Sequence, residues 1–239
     1  MTACPVSIVA PHPAKFSGVI LAELGLSLEI ETYRLHRSIR VLDPFAGVGG
    51  MHKLSRSEKG QWSLFEAGYD IETVGVEIEP EWACQHPRTI VGDATALPFP
   101  DASFDAVITS PTYANRMADH HNAKDGSRRM TYRHTLGRPL TPGNSGGMQW
   151  GEEYRGLHVR AWEEARRVLM PGGLMMLNVS NHIRKGEEVP VVEWHMETLA
   201  ALGFIIEDDR VALTPRMRFG ANGTARVEYE HVISARVAS

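Results

Sequence analysis

The sequence DPFAGVGG, residues 43–50, is a glycine-rich turn that directly follows a short apolar strand predicted over residues 40–43. Gly47 and Gly49 allow a sharp turn and let a ligand approach the main chain more closely than a side chain would permit. A dinucleotide-binding fingerprint would continue as G-x-G-x-x-G, but His52 stands where the third glycine belongs. The turn therefore indicates an α/β nucleoside-cofactor site and disfavours a nicotinamide cofactor.

Predicted strands alternate with predicted helices on both sides of this turn. The strands are predicted over residues 40–43, 72–78, 88–91, 104–109 and 174–179, the helices over residues 17–24, 152–169 and 190–202, and a final strand pair from residue 203. This alternation predicts an α/β fold with a mainly parallel, doubly wound sheet. Ligands of such sheets bind at the carboxyl ends of the strands, so the residues that follow each strand are the candidate site residues.

Two acidic residues occupy such positions. Glu77 ends the second predicted strand, and a carboxylate there can accept hydrogen bonds from both hydroxyls of a ribose. Asp93, within the sequence GDA at residues 92–94, follows the third strand and can accept from an adenine amino group. Either acid alone is also typical of a strand end that faces solvent, but their order after the glycine turn favours a cofactor site.

A second motif, SPTY at residues 110–113, follows the fourth predicted strand. Ser110 and the carbonyl group of Pro111 can accept hydrogen bonds from the amino group of a planar base, and Tyr113 can stack on that base. Elsewhere in a protein this tetrapeptide would indicate only a turn. At the end of a strand beside a cofactor site, it predicts a base-binding loop.

Together these motifs resemble the S-adenosylmethionine-dependent amino-methyltransferases of nucleic-acid bases. These enzymes share a D-x-F-x-G-x-G turn, an acid after the second strand, G-D-A after the third, and (Asp/Asn/Ser)-Pro-Pro-(Tyr/Phe) after the fourth. The resemblance covers residues 10–115 and 152–180, and it implies a Rossmann-like class I methyltransferase fold with an antiparallel C-terminal strand. The resemblance assigns to S-adenosylmethionine the residues Asp43, Phe45, Gly47, Gly49, Glu77, Asp93 and Ala94, with Lys15 and Phe16 from the upstream sequence HPAKF. It assigns to catalysis the residues Ser110, Pro111 and Tyr113.

The chemistry that this resemblance implies needs neither a metal nor a covalent intermediate. A methyl group on a sulfonium is already electrophilic, so the protein must place a weakly nucleophilic amine in line and exclude water. The serine form of the motif is more similar to enzymes that act on cytosine N4, with adenine N6 as the alternative. Methylation of cytosine C5 is disfavoured, because it needs a cysteine nucleophile after the fourth strand and the two cysteines are Cys4 and Cys84. Thr112 departs from the family's second proline, which stiffens the loop.

Residues 114–151 form a candidate target-recognition loop within a single methyltransferase domain, residues 1–239. Six basic and two acidic side chains lie between residues 115 and 138, although the whole chain has a net charge of −4. A local basic segment on an acidic body favours binding to a phosphate backbone at one face, although a solvated surface loop can have the same composition. The candidate nucleic-acid-binding residues are Asn115, Arg116, Arg128, Arg129 and Arg133, interleaved with planar side chains that include Tyr132.

These observations predict a DNA methyltransferase, with RNA as the alternative substrate. A catalytically weak nucleic-acid-binding module and a small-molecule methyltransferase are the other interpretations. The chain is 43% hydrophobic and 23% charged, with no apolar run long enough to span a bilayer. We expect a cytoplasmic protein of a bacterium or phage with no membrane partner, either within a restriction-modification system or acting alone.

Overall fold

The computed structural model describes residues 10, 12, 16–55, 69–114, 131–214 and 227–238. Its main sheet has seven strands in the order β3-β2-β1-β4-β5-β9-β8. The strands of this sheet are β1 (Ile39–Asp43), β2 (Ile71–Glu77), β3 (Thr89–Val91), β4 (Phe104–Thr109), β5 (Leu169–Val179), β8 (Phe204–Leu213) and β9 (Tyr229–Val237). Strands β1 to β5 pair in parallel, and β9 runs antiparallel to both β5 and β8. The predicted mainly parallel sheet with an antiparallel C-terminal strand is confirmed.

Helices cover both faces of this sheet. They are α1 (Gly18–Leu35), α2 (Pro80–Ala83), α3 (Tyr132–Leu136), α4 (Glu152–Val168) and α5 (Val191–Ala201). The described residues also contain two short 3-10 helices, Gly50–Leu54 and Ser145–Gly147. Strands β6 (His182–Arg184) and β7 (Glu187–Val189) form a separate hairpin. One core cluster packs α4 and α5 against the sheet, and a second packs α1 against the opposite face. Every residue of β4 is buried, as expected for a central strand covered on both faces.

Helix α1 extends further than the sequence predicts. Ser17 caps it as expected, since its side chain accepts a hydrogen bond from the backbone N–H of Ile20 at 3.2 Å. The helix does not end at Gly25 but continues to Leu35. A mid-helix glycine costs about 1 kcal/mol. Here the burial of Leu24 and Leu28 against the sheet outweighs that cost.

Strand β5 also begins earlier than predicted, at Leu169 instead of residue 174. The sequence PGG at residues 171–173 reads as a loop, but it forms an irregularity inside the strand, where the register with β4 shifts between Phe104 and Ala106. Gly173 is required there, because a Cβ atom would lie 2.7 Å from the carbonyl oxygen of Met170. Within the described ranges, no helix is long and apolar enough to cross a membrane.

Candidate active site

Asp43 joins the two sequence motifs. It ends β1 and is fully buried, and its Oδ1 atom accepts hydrogen bonds from the backbone N–H of Phe45 (3.0 Å) and the hydroxyl of Thr109 (2.8 Å). Because Thr109 immediately precedes Ser110, the second bond brings the ends of β1 and β4 together. The Oδ2 atom of Asp43 is buried and has no hydrogen-bond partner among the described residues. Burial raises the pKa of Asp43 to about 7, against the opposing effect of these two hydrogen bonds.

Glu77 braces the glycine turn from the end of β2. Its carboxylate accepts from the backbone N–H of Gly47 at 2.8 Å and from that of Glu79 at 2.9 Å, one bond to each oxygen. Burial raises the pKa of Glu77 to about 7, although both hydrogen bonds lower it. Each carboxylate oxygen retains a second lone pair, so these bonds leave room for the predicted contacts with ribose hydroxyls.

The turn itself requires its glycines. Gly47 and Gly49 adopt positive φ angles of 53° and 79°. A Cβ atom on Gly49 would lie 2.7 Å from the ring of His52, the residue that occupies the third-glycine position of a dinucleotide fingerprint. The ring of Phe45 leaves the turn to pack against α4, stacked on His158 with centroids 5.5 Å apart. Phe45 therefore shapes the turn from the core side.

The other predicted cofactor residues lie at the same edge. Asp93 is exposed after β3 and accepts from the backbone and hydroxyl of Thr95, whereas Ala94 is buried in the core. The ring of Phe16 lies beside the turn, 3.3 Å from where a Cβ atom of Gly50 would be. Lys15 lies outside the described residues.

This group of side chains fits S-adenosylmethionine. The orphaned buried oxygen of Asp43 suits the ammonium group of the cofactor, which would also relieve the buried carboxylate of its missing partner. The carboxylate of Glu77 and the exposed Asp93 suit the ribose hydroxyls and the adenine amino group. When bound, the cofactor supplies an electrophilic methyl group at this edge of the sheet.

The SPTY motif at residues 110–113 is held by two residues that its sequence pattern does not point to, Asn178 and Glu230. Ser110 and Tyr113 place their hydroxyl oxygens 3.2 Å apart, and Nδ2 of Asn178 lies 3.1 Å and 3.2 Å from them. The same Nδ2 donates to the carboxylate of Glu230 at 2.9 Å. Because a carboxylate only accepts, Glu230 fixes the orientation of the Asn178 amide. A polar residue in the apolar run MMLNV of β5 was the available signal for Asn178.

Hydrogen bonds hold Thr112, which stands where the family motif has its second, loop-stiffening proline. Its hydroxyl donates to Oγ of Ser145 at 3.0 Å, and its carbonyl oxygen accepts from the hydroxyl of Tyr154 at 2.8 Å. The indole N–H of Trp162 donates to Nδ1 of His195, so the proton of that imidazole lies on Nε2, which faces the hydroxyl of Tyr154 at 3.2 Å. Burial lowers the pKa of His195 well below its usual value, which keeps the ring neutral. This buried series of hydrogen bonds fixes the motif loop from α4 and α5.

The described part of residues 114–151 folds back on this site. The backbone N–H of Trp150 donates to the carbonyl of Ala114 at 3.2 Å, so the segment leaves and rejoins the fold at one point beside the motif loop. Arg133 lies on α3 and is partly exposed. Tyr132 is buried against Trp82, so its interpretation as an accessible planar group is wrong. The predicted contacts Asn115, Arg116, Arg128 and Arg129 lie outside the described residues.

Residues 52–131 match a family model described as a methyltransferase domain. Among solved structures, a putative sarcosine dimethylglycine methyltransferase from Galdieria sulphuraria is 12% identical, with a TM-score of 0.54 over 91% of this chain and 84% of that chain. A SAM-dependent methyltransferase from Methanosarcina mazei is 16% identical, with a TM-score of 0.53 over 87% and 97% of the two chains. The [4+2]-cyclase SpnF is 17% identical, with a TM-score of 0.53 over 95% and 84%. A comparison with curated proteins found no match.

At these identities the solved structures are similar to this chain in fold alone. The fold is the Rossmann-like class I methyltransferase fold, as the resemblance implies. The methyltransferase family match and the arrangement of Asp43, Glu77 and the glycine turn identify the cofactor as S-adenosylmethionine. Methyltransferase activity with S-adenosylmethionine is therefore the activity that the fold, the family match over residues 52–131 and the site support.

Proposed function

We propose that the protein transfers a methyl group from S-adenosylmethionine to the exocyclic amino group of a DNA base, with cytosine N4 as the target atom. The observation that supports this proposal is the position of Ser110 and Tyr113. They lie at the carboxyl end of β4, and Thr109 ties that end to Asp43 at the cofactor turn. A base bound by this loop lies beside the methyl donor.

The loop offers hydrogen-bond acceptors for the two N–H groups of an exocyclic amine. The lone pair of such an amine is delocalised into the ring, and acceptors for its two N–H groups help to localise it. A serine hydroxyl has one proton and two acceptor lone pairs. When Ser110 accepts from Asn178 and donates to Tyr113, one lone pair remains for the amine, and the carbonyl of Pro111 is the second acceptor.

The reaction is a direct in-line displacement on a base extruded from the helix. With the cofactor bound, the N–CH₃ bond would form as the S–CH₃ bond breaks, the electron pair of that bond would stay on sulfur, and the amine would release one proton to solvent. Tyr113 is partly exposed and supplies the stacking face. Its hydroxyl contacts with Ser110 and Asn178 hold the ring at the entrance to the site.

The proposal of a nucleic-acid substrate rests on the charge of one segment. The basic composition of residues 115–138 supports a nucleic-acid substrate. Adenine N6 and RNA bases present the same chemistry and are the alternatives. A catalytically weak binding module is the non-enzyme alternative.

Transfer of tritiated methyl from S-adenosylmethionine to duplex DNA, single-stranded DNA and RNA tests the proposal. We expect label in DNA, and we expect Ser110→Ala to lower kcat/KM by roughly 100-fold, the usual effect of losing one hydrogen bond to a reacting group. Ser103→Ala is the matched control, because the hydroxyl of Ser103 donates to a turn carbonyl, that of Pro100, at 2.8 Å. Label in RNA alone would move the proposal to RNA. Label in neither polymer, with cofactor binding intact, would contradict it.

A further inference from the structure

Both carboxylate oxygens of Glu79 accept hydrogen bonds from one segment of the chain. It follows β2, and its side chain is fully buried. One oxygen accepts from the backbone N–H of Thr141 (2.8 Å) and from Nδ2 of Asn144 (2.8 Å). The other accepts from Nη2 of Arg138 (2.7 Å) and from the hydroxyl of Thr141 (2.9 Å). All four donors belong to residues 138–146, which we call the strap.

The strap lies against the cofactor side of the sheet. Glu79 donates its backbone N–H to Glu77, whose carboxylate also holds the turn at Gly47. Ile78, between the two acids, meets the strap directly, since its Cδ1 atom is 3.7 Å from where a Cβ atom of Gly143 would be. The strap therefore borders the place where Glu77 receives the ribose of the cofactor.

The other end of the strap reaches the motif loop. The side chain of Asn144 accepts from the backbone N–H of Gly146 at 2.8 Å and so shapes the turn between them. Ser145, inside that turn, accepts the hydroxyl proton of Thr112 at 3.0 Å. Hydrogen bonds on either side of the peptide bond between Asn144 and Ser145 thus join the glycine turn to the motif loop through the strap.

We infer that Glu79 is a positioning residue that holds the strap as a wall of the adenosine part of the cofactor site and, through Ser145, makes cofactor binding stiffen the motif loop. The second part rests on the proposed function, in which that loop binds the base. Cofactor contacts at Glu77 favour the arrangement in which Glu79 and the strap are fixed. Because coupling between two sites is reciprocal, the cofactor and the target base then strengthen each other's binding.

Hydrogen–deuterium exchange with and without S-adenosylhomocysteine tests this inference without any methyl acceptor. In the wild-type protein, we expect the product to slow exchange both in the strap and in residues 109–114. Glu79→Gln places an N–H₂ group among donors, so we expect product affinity to fall by roughly 10-fold or more and both segments to lose their protection. Ser145→Ala should keep affinity and strap protection but lose the added protection of residues 109–114.

Glu81→Gln is the matched control. Glu81 also accepts from Arg138 but lies nearer the surface, so its removal should change product affinity by less than about 2-fold. Thr141→Val removes one of the four donors and gives a milder version of the test if Glu79→Gln does not fold. Wild-type affinity in both the Glu79 and Thr141 variants, or wild-type loop protection in Ser145→Ala, would overturn the inference. Failure to methylate DNA with these exchange responses intact would instead count against the proposed function alone.

Discussion

Replacing Asp43 with asparagine should stabilise the cofactor-free protein above neutral pH and abolish cofactor binding. The carboxylate is buried, one of its oxygens has no hydrogen-bond partner within the described part of the chain, and burial raises its pKa from 3.8 to about 7. Between these two values, the folded protein holds a proton that the unfolded chain has released. The free energy of unfolding therefore falls as pH rises through that window, and the destabilisation is complete above the folded pKa.

The size of the effect follows from the shift and from what asparagine retains. A rise from 3.8 to about 7 corresponds to about 4 kcal/mol at 1.36 kcal/mol per unit. Asparagine keeps an acceptor for Thr109 and Phe45, but it buries an N–H₂ group without a partner, at a cost of about 2 kcal/mol. The net gain is about 2 kcal/mol at about pH 8, or about 4–8 °C in Tm for a chain of this length. Near pH 5 the wild-type carboxyl is protonated and the gain disappears.

Thermal unfolding at the two pH values, together with calorimetric titration of S-adenosylhomocysteine, measures both effects. Asp105→Asn is the matched control. Asp105 is also buried, but it is paired with the guanidinium of Arg37 and accepts from the backbone N–H of Arg40 at 2.8 Å, so its replacement should destabilise the protein at both pH values. An Asp43→Asn protein that is less stable than wild type near pH 8, or that binds the product as tightly, would refute the reasoning.

Three other substitutions probe separate parts of the site. Tyr113→Ala should remove most of the methyl transfer and leave the affinity for S-adenosylhomocysteine nearly unchanged, as measured by label transfer and calorimetry; an equal loss of product affinity would contradict this division of roles. Tyr154→Phe deprives the carbonyl of Thr112 of its donor, so we expect about 1–2 kcal/mol of destabilisation and a lower kcat, and an unchanged Tm with unchanged kcat would show that the loop does not depend on this bond. Gly49→Ala should lower Tm more than Gly137→Ala, because both residues have positive φ but only at Gly49 does a Cβ atom clash, and equal shifts in Tm would contradict that comparison.

The sequence predicts the features that depend on local pattern. Strand β4 occupies residues 104–109 as predicted, because a short, mainly apolar run followed by a proline motif is a local signal. The cap at Ser17 is equally local. The end of α1 is not a local feature. Leu28 is buried against strands that come from distant segments of the chain, and this packing carries the helix past Gly25.

The polar support of the site depends on contacts between distant segments. Asn178 meets Glu230 only because β9 pairs antiparallel with β5 in one particular register, which no local pattern encodes. Glu79 immediately precedes Pro80, the first residue of the short helix α2, and its local sequence indicates no role beyond that position. In the structure it is buried beneath the strap, whose arrival depends on how residues 131–151 return to the fold.

Nucleoside mass spectrometry of DNA incubated with the purified protein and methyl-labelled S-adenosylmethionine tests the central claim most directly. The account predicts labelled N4-methylcytosine, and labelled N6-methyladenine would keep the amino-transfer chemistry while correcting the base. Labelled 5-methylcytosine, or no labelled nucleoside from a protein that binds S-adenosylhomocysteine, would contradict the assignment of Ser110, Pro111 and Tyr113 to an exocyclic amine.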